Sequence, residues 1–140
     1  MRWLSISLLF FLLASCVTDP QTGQTTLDLK AINSEMKLAY KDLGDALILV
    51  QGDDKLYPAV AKFRGIVGTI QSSLEEYING QTPDTSKILG SIDLALSLSD
   101  SLIKETVSDE GTAQRIRFVV AVSRIVLRRV EFYIKEKPVV

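Results

Sequence analysis

Across 140 residues the chain sets 16 basic side chains against 17 acidic ones, with no histidine and a single cysteine. The near balance excludes the strongly basic surface that nucleic-acid binding requires. The missing imidazole removes cysteine–histidine and serine–histidine nucleophile pairs, together with zinc sites built from nitrogen and sulfur ligands. Length limits the fold to one domain with a modest core.

Met1-Arg2-Trp3 carries one charge, and the run from Leu4 to Leu13 is apolar apart from two serines. Such a short charged start and apolar run read as a secretory signal, too short to span a bilayer as a stable helix. The run ends in Leu13-Ala14-Ser15-Cys16, which resembles the lipobox of bacterial lipoproteins. That resemblance, confined to residues 1–16, implies a diacylglyceryl group on the Cys16 thiol, cleavage between Ser15 and Cys16, and acylation of the new amino terminus. The small side chains of Ala14 and Ser15 fit the narrow site of the peptidase in that family. The alternative is a core cysteine inside an ordinary apolar helix. A cysteine consumed as an anchor needs no disulfide partner, and two or three acyl chains attach stably at about 0.8 kcal/mol per buried CH₂. Val17 stands where aspartate favours inner-membrane retention in enterobacterial lipoproteins, so the same resemblance favours the periplasmic face of the outer membrane in an organism that has one.

From Val17 to Thr26 the chain is polar, carries Pro20 and Gly23, and lacks apolar periodicity. It reads as a tether whose coil reach is roughly 16–19 Å. The expected organisation is a signal peptide over residues 1–15, a lipidated cysteine and tether over 16–26, and a helical domain over 27–140.

Four helical segments follow the tether. Between Leu27 and Val50, apolar residues recur at steps of three and four, at Leu29, Ile32, Met36, Ala39, Leu43, Ala46 and Val50, with Thr25 or Thr26 as a cap. Gly52-Asp53-Asp54 breaks that helix. A second begins near Pro58, tolerated in a first turn, and ends at Asn79-Gly80; its apolar face holds Ala59, Val60, Phe63, Ile66, Val67, Ile70, Leu74 and Tyr77. A third opens with Thr82-Pro83-Asp84 and runs to about Glu105, its core side carrying Ile88, Leu89, Ile92, Ala95, Leu96, Leu102 and Ile103. Ser108-Asp109-Glu110 starts the fourth, which reaches about Lys137.

The fourth segment contains IRFVVAVSRIVLRRV, whose β-branched residues suit a strand. Charge spacing decides for helix: at 100° per residue Arg117, Arg124, Arg128, Glu131 and Lys135 form a narrow stripe, whereas strand alternation would scatter them. Most of its remaining circumference is apolar, so it should be the most buried of the four. Short connections make the expected fold all-α, an antiparallel up-and-down four-helix bundle.

No phosphate loop, dinucleotide fingerprint or calcium loop appears, so no cofactor, metal or small-molecule substrate is indicated. Glu75 and Glu76 diverge by about 100° on a helix and cannot flank one bond. Asp93 and Asp100 share a face that reads as a solvated surface. An enzyme is therefore not expected.

Two features exceed what a minimal bundle requires. The second helix carries Ala61, Gly65, Gly68, Thr69 and Ser72 away from its core face, and the third carries Ser86, Gly90, Ser97 and Ser101 beside Leu94 and Leu98. An interior glycine costs about 1 kcal/mol relative to alanine, and small residues admit another backbone. Gly65, Gly68, Thr69, Leu94 and Leu98 are thus candidates for a partner-docking face; drift of a loosely specified surface toward small residues is the other reading. The basic stripe of Arg117, Arg124, Arg128 and Lys135 is a second candidate, facing anionic headgroups or an acidic partner, or forming a solvated polar face. Two function classes emerge: a membrane-anchored interaction module for another envelope protein, and a structural lipoprotein that associates with itself. Small helical lipoproteins that pilot secretion pores, and phage-borne ones that exclude competing phages, are similar in outline, although no motif of theirs is matched.

Overall fold

A computed structural model describes residues 16–18, 25–27, 29–81, 84–104 and 109–136. A short antiparallel pair, β1 (Cys16–Thr18) and β2 (Thr25–Leu27), precedes four helices: α1 (Leu29–Leu49), α2 (Leu56–Ile78), α3 (Thr85–Lys104) and α4 (Glu110–Glu136). Cys16 stands opposite Leu27 and Thr18 opposite Thr25. The segment read as a free tether is therefore tied to itself at both ends.

The domain is an all-α bundle. α1 packs on α2 and α4, and α3 packs on the same two helices, so each helix has two principal neighbours. Polar pairs fix the antiparallel order: Glu35 near the start of α1 meets Arg129 near the end of α4, and Asn33 meets Gln71 late in α2. Each of α2, α3 and α4 begins where a carboxylate occupies its free N–H groups. Asp53 accepts from the Lys55 and Leu56 amides at 2.9 Å, Asp84 from Lys87 at 3.2 Å, and Asp109 from the amide of Thr112 at 3.3 Å and its hydroxyl at 2.5 Å. Satisfying these donors fixes each entry point. Asp53 is thus a start signal as well as part of a break, and α2 opens at Leu56, before Pro58. Asp84 caps α3; Thr82 and Pro83 lie outside the described residues. At the other end of α2, Gly80 takes φ +82° while the Gly80 and Gln81 amides bond back to Tyr77 and Glu76. A side chain there would be strained, and glycine is not.

The expected apolar faces meet in one core. Ile32, Met36, Leu43, Val60, Phe63, Val67, Ile70, Ile92, Val120, Leu127 and Val130 are essentially without solvent contact. Ser99 and Ser123 are buried with them and donate to carbonyls of their own helix, Leu96 at 2.6 Å and Val119 at 2.8 Å. Such back-bonding lets a hydroxyl sit in a core without a partner from another helix.

α4 buries more side chains than any other helix, as expected, but it does not touch more neighbours than they do. It packs on two helices, as the others do, and the sector turned away from them leaves Phe118, Ile125 and Phe132 exposed by 39%, 46% and 57%. A two-neighbour helix can bury only part of its circumference, and α4 carries more apolar surface than that geometry covers.

Candidate docking surfaces and the helix seams

The candidate docking residues divide between open surface and the seams between helices. Gly65 has open space where a side chain would project, and Thr69 donates its hydroxyl to the Gly65 carbonyl at 3.0 Å on the exposed side of the helix. On α3, Leu94 is exposed by 48%. These three remain available. Gly68 does not belong with them, because a Cβ built there falls 2.8 Å from Cε2 of Tyr40. Leu98 is also removed, since it is half-buried and packs against the core. The wheel position of Gly68 is turned by about 60° from that of Gly65, enough to carry it from the outer face into the α1–α2 seam.

That seam contains an interaction that the sequence does not announce. The Arg64 guanidinium lies 3.8 Å from the centroid of the Tyr40 ring, and its Nε donates to the Tyr40 carbonyl at 3.0 Å. Glycines frame the stack from both helices: a Cβ at Gly44 would fall 3.0 Å from Arg64. The glycines at 44 and 68 make room for a stacked cation and ring. Farther along the same seam, Gln71 donates to Asn33 at 3.2 Å and Lys37 meets Glu75 at 2.6 Å. The Lys37 ammonium, with smaller help from Gln71 and Asn33, holds the Glu75 carboxyl below its usual range. Glu75 is therefore a surface partner of α1.

The basic stripe is similarly occupied. Arg117 pairs with Glu110 at 3.7 Å and Arg124 with Asp100 of α3, while Arg128 and Lys135 share Glu131 at 3.2 and 3.8 Å. Asp100 is thereby a clamp between α3 and α4. The stripe is a laced surface with local counter-charges, which weakens it as a free cationic platform. A deeper pair lies on the opposite flank of α4: Arg129 reaches both carboxylate oxygens of Glu35, at 3.2 and 3.3 Å, and the Glu35 side chain is only 3% exposed. Every buried side-chain nitrogen or oxygen among the described residues has a hydrogen-bond partner.

Sequence reasoning passed over one surface entirely, the exposed line Phe118, Ile125 and Phe132. Its signal was present as three large apolar residues at intervals of seven, which share one face of a helix. Ile48, Leu49 and Tyr57 are further exposed apolar side chains, clustered near the α1–α2 connection. No group of histidine, cysteine, aspartate or glutamate among the described residues is arranged to hold a metal ion. Nor is any helix among them long and apolar enough to cross a membrane. Residues 1–15, expected to form a signal peptide, lie outside the described residues, and Cys16 enters the description as the first residue of β1. No family model, curated protein or solved structure matches this chain.

Proposed function

We propose that the chain is an envelope lipoprotein anchored through Cys16, favouring the periplasmic face of an outer membrane. Its bundle acts there as a non-enzymatic interaction module, an assembly, piloting or blocking factor for another envelope protein. The observation that carries this reading is the agreement at one place of an apolar run, two small residues and the only thiol, in Leu8-Leu9-Phe10-Phe11-Leu12-Leu13-Ala14-Ser15-Cys16. Acylation there would leave a small helical domain at the membrane surface. The open patch of Gly65 and Thr69 on α2, with Leu94 on α3, supports docking on that side of the bundle.

Cys16→Ser tests the anchor. The variant is expected to leave the membrane fraction or to accumulate as an unprocessed precursor; a serine variant that still fractionates with membranes at its mature size removes the reading. A photo-crosslinker at Leu94 or Thr69 of the anchored protein tests the docking face. Repeated capture of one defined envelope protein supports an interaction module, whereas capture of a second copy turns the assignment to self-association.

A further inference from the structure

The exposed line on α4 is set against the position of the chain's beginning. Phe118, Ile125 and Phe132 lie seven residues apart, one above another over about 21 Å of helix. Their exposure rises steadily along α4, from 39% through 46% to 57% at the C-terminal end. That end lies beside the start of α1, because Arg129 is bonded to Glu35. Cys16 is held near the same start: its strand partner is Leu27, two residues before α1 begins. Backbones of paired residues stand about 5 Å apart, and two residues span at most about 7 Å. The most exposed aromatic residue of α4 is therefore close to the proposed lipid attachment point.

We infer that the outer face of α4 lies against the bilayer that the acylated Cys16 enters, with Phe118, Ile125 and Phe132 sunk among the acyl chain ends near the headgroups. The inference rests on the lipoprotein reading and adds an orientation to it. Basic residues flank the line on both sides, Arg117, Arg124, Arg128 and Lys135 on one and Arg115 and Arg129 on the other. Apolar side chains in the middle with long cationic stems at the edges match the chemistry of a membrane interface. The ion pairs on these flanks leave little excess charge, so apolar insertion is the larger contribution and anionic lipid the smaller. With α4 turned down, α2 lies diagonally across the bundle and presents Gly65 and Thr69 away from the membrane.

The only tryptophan in the chain is Trp3, within the segment that processing removes. Ile125→Trp therefore gives the processed protein a single reporter, and a Trp3→Phe background keeps it single in any uncleaved precursor. The protein, purified from a host that processes lipoproteins, is reconstituted into vesicles of phosphatidylethanolamine and phosphatidylglycerol with brominated acyl chains. The indole introduced by Ile125→Trp is expected to emit to the blue, to resist iodide, and to lose about half its emission to the bromines, as insertion of about 5–10 Å requires. A Thr69→Trp reporter should remain open to iodide and untouched by bromine. Phe132→Trp repeats the measurement if the first variant loses its helical circular dichroism. A chain that floats with the vesicles while the α4 indole stays in water keeps the anchor and overturns the orientation. An α4 indole shielded from iodide but not quenched by bromine also overturns it, since protein, a second copy included, would then cover the face. A chain that does not float overturns both readings.

Discussion

Gly65 and Gly68, three positions apart on one helix, are expected to respond to alanine in opposite directions. At Gly65 nothing lies within reach of the new methyl group, so Gly65→Ala should stabilise the domain by up to about 1 kcal/mol through helix propensity. At Gly68 the methyl meets the Tyr40 ring, itself held by Arg64. Overpacking costs of about 1–3 kcal/mol outweigh the propensity gain there, leaving a net loss on the order of 1 kcal/mol. Denaturant midpoints measure both, and in a Tyr40→Ala background Gly68→Ala should become stabilising. Composition shows that glycine is costly in a helix; it does not show whether a ring fills the space, and that is why the two looked alike in sequence. Asp42 offers a pH test at the same scale. Burial first, and the neighbouring Asp45 second, push its carboxyl above the usual range. For an acid raised in the folded state, the destabilisation is absent below the unfolded value and complete above the folded one. Asp42→Asn should therefore raise the Tm at pH 7 and leave it unchanged near pH 3, read by thermal melts at the two pH values.

Among the elements, the α1–α4 contact holds its largest concealed charge interaction, the Glu35–Arg129 pair. Removing the arginine leaves a carboxylate in a site almost closed to water, so Arg129→Ala should cost about 3 kcal/mol, the lower end for broken buried pairs because Arg129 itself is partly exposed. Glu35→Leu combined with Arg129→Met should recover most of that loss, and urea titrations of the single and double variants decide it. The four helices and their apolar faces were legible because Ile32, Met36, Phe63, Val67, Ile92 and Leu96 obey the helical period and end up in the core. Glu35 was not legible in this way. On a helical wheel it falls at the edge of the apolar sector, where only knowing which arginine stands opposite distinguishes a buried pair from a solvated rim. Phe118, Ile125 and Phe132 failed in the reverse sense: their residue types point inward, but the number of neighbouring helices, which sequence does not state, decides that they face out.

At the scale of the whole molecule, cohesion comes from one apolar core closed by pairs at the seams: Arg64 with Tyr40, Lys37 with Glu75, Arg124 with Asp100 and Arg129 with Glu35. With a single cysteine no disulfide can form within the chain. The helical circular dichroism and melting temperature of the domain should therefore be unchanged by chelator and by reducing agent. A chelator that lowered the melting temperature would place a metal among the stabilising contacts. Of the candidate surface, the α2 and α3 positions that survive, Gly65, Thr69 and Leu94, share only the property of projecting outward from neighbouring helices. Sequence periodicity places a residue on a face, but the angular difference between Gly65 and Gly68 becomes decisive only once α1 is in position.

The pairing of Cys16–Thr18 with Thr25–Leu27 has a kinetic consequence for a protein held at a surface. A coil of the same residues would let the bundle explore a cap of radius roughly 16–19 Å, whereas the pairing holds Cys16 opposite Leu27 and leaves a much smaller volume. The effective concentration of a tethered site varies inversely with the volume it searches, reaching the millimolar range for short connections. With the proposed anchor at Cys16, a partner fixed in the same leaflet would meet Thr69 and Leu94 by diffusion in two dimensions rather than three. A contact too weak to isolate with the detached domain could then be largely occupied on the membrane.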